Sequence, residues 1–194
     1  MRSKFLLALT LGVLSLAGAS AEAQTSSWKI DPAHSSVNVE IRHMGVSNIH
    51  GSITGVTGTV TLSEKDITKS SVNATIDTNT LTTNVDARDK HLKSPDFFDI
   101  AKYPQITFKS ASLSNTGGKL QLTGDLTLTG VTKSVTFDVD GPAPPQTGQD
   151  GKVRSGFSAT GTLKRTDFNF GPKFAPPMLG DDVKFTIDVE IDKQ

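Results

Sequence analysis

The sequence VNVEIRH at residues 37–43 decides the fold, because apolar and polar residues alternate along it. Val37, Val39 and Ile41 share one face of an extended strand with His43, while the intervening polar residues face the other way. A strand with this pattern lies between an apolar interior and water. The segment therefore predicts a β-structure with one buried face.

The same two-residue period returns in seven later runs, which gives eight main strands in all. Thr129-Gly130 and residues 115–118 predict hairpin turns, and the Pro- and Gly-rich residues 141–151 predict a longer loop. Consecutive strands joined by short turns indicate an antiparallel meander, which can pack as a sandwich or close into a barrel. The seven runs contain, in order, Val60, Val72, Ile106, Leu126, Phe137, Phe157 and Phe185.

One segment, RDKHLKSPDFFDIAKYPQITF at residues 88–108, abandons alternation and combines charges with aromatic rings. Residues 85–93 contain good helix formers, and we expect Thr83 or Asn84 to cap a short helix there. Two prolines then mark an irregular loop before the next strand. We expect this insertion to cover one end of a barrel.

The charged and aromatic residues of the insertion allow two interpretations each. Arg88 and His91 share a helical face, where a guanidinium and an imidazole can receive a phosphate or a quinone-like ring. Alternatively, Arg88 and Asp89 form structural hydrogen bonds that fasten the helix to the rim. Phe97 and Phe98 either form the wall of a ligand channel or seal the insertion against the sheet.

The first 23 residues have the pattern of a cleavable signal peptide. A cationic start precedes an apolar run at residues 5–16, and Ala21-Glu22-Ala23 provides a small-x-small cleavage site. The signal peptide predicts export to the periplasm. Cleavage after Ala23 would leave residues 24–194, a length that predicts a single domain. No stretch approaches the roughly 20 apolar residues of a membrane span, so we expect no stable membrane insertion.

Charge and cysteine content exclude several classes of protein. The chain has 20 Lys+Arg and 20 Asp+Glu, and removal of the signal peptide leaves 18 and 19, which argues against nucleic acid as a partner. The chain has no cysteine, so disulfides, thiolate nucleophiles and cysteine metal sites are excluded. The sequence leaves open whether the chain forms a homodimer.

The sequence contains no recognisable catalytic or metal-binding constellation. His34, His43, His50 and His91 are nine, seven and forty-one residues apart, which matches no compact metal motif. Ser35 is not part of a GxSxG nucleophile elbow, and adjacent residues of a strand point to opposite faces. We therefore expect neither a metal site nor an enzyme.

Three separated segments resemble the YceI-like family over nearly the whole chain after residue 27. They are WKIDPAHSSV at residues 28–37, the insertion at residues 88–108, and GDLTLTGVTK at residues 124–133. The resemblance implies a periplasmic, eight-stranded, lipocalin-like antiparallel barrel that holds a long isoprenoid lipid. A quinone or a polyprenyl phosphate would then be the ligand, with no cofactor.

A fourth segment carries both a match to the family and a departure from it. Residues 165–168, RTDF, resemble the family's R-x-D-aromatic turn, but Asn169 replaces the glycine that normally follows. Asparagine tolerates positive φ better than most residues, so we expect the turn to survive. Arg165 and Asp167 are expected either to pair with each other or to clamp the ligand. Ile53 replaces an aromatic residue of the family, which is expected to reshape the pocket.

Strand phase and the insertion together give a set of expected ligand-binding residues. An isoprenoid tail offers only apolar surface, so an apolar, shaped channel must recognise it. The alternative is a stress-related interaction protein whose barrel is filled by its own side chains, because phenylalanine supplies 10 of the 12 aromatic residues. The expected ligand-binding residues are Val39, Ile41, His43, Arg88, His91, Phe97, Phe98, Phe108, Leu126, Phe137, Phe157 and Phe185.

Overall fold

A computed structural model describes residues 24–194, so the predicted signal peptide lies outside the described residues. In this range no helix has the length and apolar character needed to cross a bilayer. The elements are β1 (Thr25–Ile30), β2 (Ser36–His43), β3 (Ser47–Ile53), β4 (Gly55–Ser63), β5 (Ser71–Asp77), α1 (Asp86–Leu92), β6 (Gln105–Thr116), β7 (Lys119–Leu128), β8 (Val131–Asp140), β9 (Gln146–Thr147), β10 (Val153–Lys164) and β11 (Leu179–Lys193).

The strands close into an antiparallel ring in the order β1, β4, β5, β6, β7, β8, β10 and β11, and β11 pairs back onto β1. Strands β2 and β1 pair with successive parts of β11, at residues 179–188 and 191–193, and so form one interrupted strand. Strands β3 and β4 pair with β2 and β1 and form a second. The predicted eight-stranded antiparallel, lipocalin-like barrel is confirmed.

Local hydrogen bonds build the interruption between β1 and β2. The backbone N–H of Ala33 donates to Asp31 Oδ1 at 2.8 Å, and His34 Nδ1 lies 2.7 Å from Asp31 Oδ2. The bond to His34 holds the pKa of Asp31 below its usual range. Ser35 is buried, and its hydroxyl oxygen accepts the backbone N–H of Glu190 in β11 at 3.1 Å. The turn is therefore fixed to the strand that closes the ring.

Both predicted hairpins are confirmed. Thr129 and Gly130 connect β7 to β8 with φ of 50° and 77°, and Gly117 and Gly118 connect β6 to β7 with φ of 61° and 85°. Positive φ at both central residues gives the turn a twist that matches that of the flanking strands. The strands from β4 to β8 therefore follow one another around the ring as a meander.

Helix α1 lies within the predicted residues 85–93, but the predicted cap is wrong. Val85 occupies the N-cap position and supplies no side-chain hydrogen bond. The Thr83 hydroxyl instead donates to Asp89 and accepts from Arg88 Nε at 2.7 Å. Thr83 therefore fastens α1 by bonding the side chains of Arg88 and Asp89. It does not cap the free N–H groups of the first helical turn.

A row of three aromatic rings crosses the middle of the barrel. The ring centroids of Phe108 and Phe137 are 5.1 Å apart, and those of Phe137 and Phe185 are also 5.1 Å apart. Gly124 and Gly161 face the outer rings, and a Cβ at either position would lie 2.5 Å from a ring carbon. The missing side chains therefore leave the space that the row occupies.

The barrel is solid below this row and hollow above it, where we call the end covered by α1 the upper end. Large side chains from opposite strands fill the lower half at close packing. The most deeply buried of them have at most 3% of their surface exposed, as expected of a continuous core. They include Trp28, Ile30, Val60 and Ile191.

The wall has one short seam. Strand β10 pairs with β11 over residues 154–164, but with β8 only over residues 158–160. The upper parts of β8 and β10 are therefore neighbours in the ring, but within the described structure they form no β-ladder with each other. Elsewhere around the ring the ladders are longer when β1 and β2 are counted together on β11; β7 and β8, for example, pair over nine residues.

Arg165 holds the irregular loop between β10 and β11, and the predicted ion pair with Asp167 is wrong. Only 2% of Arg165 is exposed, whereas Asp167 is exposed to solvent. Burial lowers the pKa of the guanidinium, yet arginine stays protonated at any ordinary pH. Asn169 has φ of 56°, which confirms the expected turn. The guanidinium donates to the backbone carbonyls of Phe170, Gly171, Phe174, Leu179 and Gly180.

We predict that Arg165→Lys destabilises the fold by about 2–4 kcal/mol, because an ammonium group has three donors and leaves buried carbonyls unpaired. Urea unfolding followed by circular dichroism measures the loss. The control is Arg42→Lys, since Arg42 is exposed and bonds only Asn48 Oδ1 and the Gly45 carbonyl, so its loss should be much smaller. Equal destabilisation by the two variants would show that the loop does not depend on the hydrogen bonds of the buried Arg165 guanidinium.

Candidate functional site

The upper half of the barrel encloses a cavity of about 370 Å³. Its wall consists mainly of apolar side chains from β2, β3, β7 and β11, and Phe137 and Phe185 form its floor. This volume lies in the range of sites for small organic ligands. Within the described chain, the ionisable or hydroxyl side chains that reach the cavity are His43, Thr83, Arg88, His91 and Arg165.

An aromatic roof covers part of the upper end, and the opening that it leaves is the mouth of the cavity. The roof consists of His91, Phe97, Phe98, Phe170 and Phe174. The rings of Phe97 and Phe174 stack with centroids 5.0 Å apart, and Phe98 meets Phe170 edge-on at 4.6 Å. His91 lies edge-on to Phe97 at 5.1 Å. The roof therefore joins the insertion after α1 to the loop that Arg165 holds.

A salt bridge fastens the roof on its outer side. Lys173 Nζ donates to Asp96 Oδ1 at 2.7 Å, and His91 Nε2 lies 3.3 Å from Asp96 Oδ2. The hydrogen bond from Lys173, followed by that from His91, lowers the pKa of Asp96. These contacts connect the same two segments that the rings connect on the inner side.

Most of the residues predicted to bind a ligand lie around this one cavity. Strand phase placed the wall residues correctly toward the interior, and Phe97 and Phe98 line the cavity while also packing in the roof. Both interpretations of these two rings therefore describe the same position. The predicted residues that line the cavity are Val39, Ile41, His43, Arg88, His91, Phe97, Phe98, Leu126, Phe137 and Phe185.

Phe108 and Phe157 do not line this cavity, contrary to the sequence prediction. Phe108 is buried in the aromatic row beneath it. Phe157 lines a separate void of about 40 Å³ at the lower end, beside Pro142. Both side chains face inward as predicted, but strand phase does not specify the height of a residue along the barrel.

The sequence did not predict that the loop at residues 169–178 contributes to the cavity. Phe170, Phe174 and Met178 line the cavity, although this loop has no alternation that would mark an inward face. A concentration of rings was the available signal, because three phenylalanines lie within residues 168–174. The same signal had drawn attention to Phe97 and Phe98.

The structural alternative for Arg88 and Asp89 is observed. Arg88 donates from Nη2 to the Thr83 carbonyl at 2.9 Å, and Asp89 accepts from Thr82 Oγ1 at 3.0 Å and Thr83 N at 2.8 Å. Burial raises the pKa of Asp89, but these hydrogen bonds outweigh it and leave the pKa below its usual value. Arg88 Nη1 makes no hydrogen bond with the described residues, and Arg88 also lines the cavity.

Ile53 lies in the cavity wall with 2% of its surface exposed. The branched aliphatic side chain occupies less space than an aromatic ring would. The replacement noted in the sequence therefore affects the wall of the cavity directly.

A cluster outside the cavity brings Asp31, His34 and Glu190 together, with potential ligand atoms within 4.8 Å of one another. Arg154 Nε lies 3.2 Å from Glu190 Oε1, and Asp31 already bonds His34 and a backbone N–H. Arg154 therefore already supplies a positive charge beside Glu190, and His34 bonds Asp31.

The comparisons with solved structures agree with the barrel. The YceI protein of Campylobacter jejuni is 31% identical, with a TM-score of 0.70 over 79% of this chain and 90% of that chain. A polyisoprenoid binding domain from Saccharophagus degradans is 15% identical, with a TM-score of 0.64 over 87% of this chain and 99% of that chain. The second likeness concerns the fold alone.

The sequence comparisons show the family. The protein YceI of Escherichia coli O157:H7 is 42% identical over 189 residues, and that of Salmonella arizonae is 41% identical over 189 residues. Each alignment covers 96% of both chains. The family model of the YceI-like domain matches residues 28–191. The chain therefore belongs to the YceI-like family.

Proposed function

We propose that this protein is an exported, non-enzymatic carrier that holds one long-chain isoprenoid lipid in the upper half of its barrel. The enclosed apolar cavity carries the proposal. At about 0.8 kcal/mol per buried CH₂, each five-carbon unit contributes roughly 4 kcal/mol of transfer free energy before ordering costs. A few units suffice for tight binding without any polar anchor.

Family membership supports lipid binding in a barrel. The Saccharophagus domain is named for binding a polyisoprenoid, and it shares this fold. The chemistry of the cavity is consistent with such a tail, because its surface is formed almost wholly by aliphatic and aromatic side chains.

The cavity lining favours binding over catalysis. Within the described residues it contains no Asp, Glu, Ser or Lys side chain. Arg165 is saturated by backbone carbonyls, and Thr83 is engaged by Asp89 and Arg88. The imidazoles of His43 and His91 are suited to general acid–base chemistry, but among the described lining residues no Ser, Cys or Lys nucleophile accompanies them.

A polar head group fits at the mouth, beside Arg88, His91 and His43. Arg88 lines the cavity, and its Nη1 has no hydrogen-bond partner in the described chain, so the guanidinium can donate to a phosphate or a quinone oxygen. The structural bonds of Arg88 to Thr83 hold the fork in place for this second role. We therefore favour a quinone or a polyprenyl phosphate over a simple hydrocarbon.

An alternative is an interaction protein with no lipid, and one observation favours it. The lower half of the barrel is filled by its own side chains except for a void of about 40 Å³. If the roof collapsed onto the aromatic row in solution, no cavity would remain. Mass measurement of the intact protein distinguishes the two functions.

Export to the periplasm through a cleaved signal peptide remains part of the proposal, on the pattern of the first 23 residues. The mass of the protein recovered from the periplasmic fraction tests this part separately from lipid binding. A chain that begins at Gln24 is expected.

We predict that the purified protein carries a co-purifying lipid, seen by native mass spectrometry and identified after solvent extraction. Added prenols should bind more tightly as their chains lengthen, until the cavity is full, because each unit buries more apolar surface. Protein that is reproducibly empty, or that binds short and long prenols equally, would favour the interaction protein.

We predict that Val39→Trp reduces the length of prenol that the protein retains, because Val39 lines the cavity and the indole fills part of it. Asn38→Trp is the matched control, since Asn38 is the exposed neighbour on the outer face of the same strand. Titration with prenols of increasing length measures the effect. The idea fails if both variants retain the same lengths.

We predict that Arg88→Gln weakens binding of a prenyl phosphate about tenfold and leaves binding of the prenol with the same tail nearly unchanged. The common tail controls for any loosening of the helix, which would weaken both ligands. A parallel loss for the two ligands would restrict Arg88 to its structural role.

A further inference from the structure

Exposed apolar side chains are concentrated at one place on the described surface. The large hydrophobic side chains with high exposure are Met44 at 51%, Val46 at 76%, Val85 at 46% and Met178 at 50%. Single exposed hydrophobic residues are ordinary, but a cluster marks a contact surface. Three of these four belong to one cluster, and Val85 lies at the N-terminus of α1 on the same upper end.

The cluster forms where the β2–β3 turn meets the loop before β11. The backbone N–H of Met44 donates to the Met178 carbonyl at 3.0 Å, and a Cβ on Gly45 would lie 3.9 Å from Pro177 Cβ. We call residues 44–46 and 175–178 the apolar tip. Its seven residues, MGV and APPM, include no charge, and all are exposed.

The apolar tip is continuous with the cavity. Met178 belongs to the tip and also lines the cavity. Its neighbour Leu179 lies outside the tip and lines the cavity as well. His43, which precedes Met44, lines the cavity as well. When the tip contacts an apolar phase, a lipid can therefore pass from that phase to the cavity along apolar side chains.

The charges beside the tip are unbalanced toward positive. Arg42 is exposed, donates to the Gly45 carbonyl at 3.0 Å, and joins none of the salt bridges among residues 24–194. Lys173 is paired with Asp96, and Asp181, the nearest acid after the tip, lies 3.9 Å from Lys164. Arg42 is thus a cation in direct contact with the tip that has no acidic partner among the described residues, and it complements an anionic head group.

We propose that the apolar tip inserts into the surface of a bilayer that contains anionic lipid, and thereby places the mouth of the cavity on the membrane for loading and release. The inference rests on the proposed carrier function. A small apolar insertion assisted by one cation binds weakly and reversibly, as a carrier that must leave the membrane requires.

The test is flotation of the protein, expressed from the full-length sequence, with phosphatidylcholine vesicles that contain a long-chain prenol, with and without phosphatidylglycerol. Wild-type protein should float with the anionic vesicles more than with the neutral ones. Val46→Asp should reduce the bound fraction about tenfold, because it places a charge in the apolar region. Ser114→Asp adds the same charge at an exposed position of the lower hairpin and should bind as wild type does.

Native mass spectrometry of the same samples separates this inference from the carrier function. Val46→Asp should reach the same prenol occupancy as wild type, but at least several-fold more slowly. Wild-type protein that fills with prenol without floating, or Val46→Asp that floats like Ser114→Asp, would overturn membrane docking. A wild-type dimer that Val46→Asp converts to monomer would assign the tip to a second copy of the chain instead. If no variant takes up prenol, the carrier function fails, while flotation still reports on the tip.

Discussion

The pairing of β11 on both of its edges is the constraint on which the rest of the structure depends. One edge pairs with β10 over residues 154–164, and the other pairs with β2 and then β1. The last strand thus joins the first strand to the meander, and a sheet with two free edges becomes a ring. Without this long-range closure there is no interior, and the alternating faces of the other strands have nothing to enclose.

Closure alone does not create a cavity, because side chains can fill a barrel of eight strands. In this protein the aromatic row of Phe108, Phe137 and Phe185 divides the interior into a solid lower half and a hollow upper half. Gly124 and Gly161 make the row possible by leaving room for the outer rings. The sequence left open whether the barrel is hollow or filled by its own side chains. The upper half matches the first expectation and the lower half matches the second.

The period of two predicted β2, β4 to β8, β10 and β11 and the inward face of each, because this period is a local property of an extended chain. It missed β1 and β3, and the choice of a ring over a sandwich came from the family resemblance. The sequence did not predict the height of Phe108 or Phe157, since height depends on strand register around the whole ring. It also assigned Arg165 to an ion pair, whereas the guanidinium binds backbone carbonyls, and every sequence offers these at every position. The loop at residues 169–178 carries no periodicity, so its place in the roof depended on tertiary packing alone.

The short ladder between β8 and β10 affects where the wall of the barrel opens locally. Separation of neighbouring strands breaks fewest backbone hydrogen bonds where the ladder is shortest, so local opening is least costly along this line. Leu163 and Phe137 lie on the upper parts of these two strands and face the interior. Opening along this line would widen the upper half of the barrel near its floor while the remaining ladders stay intact.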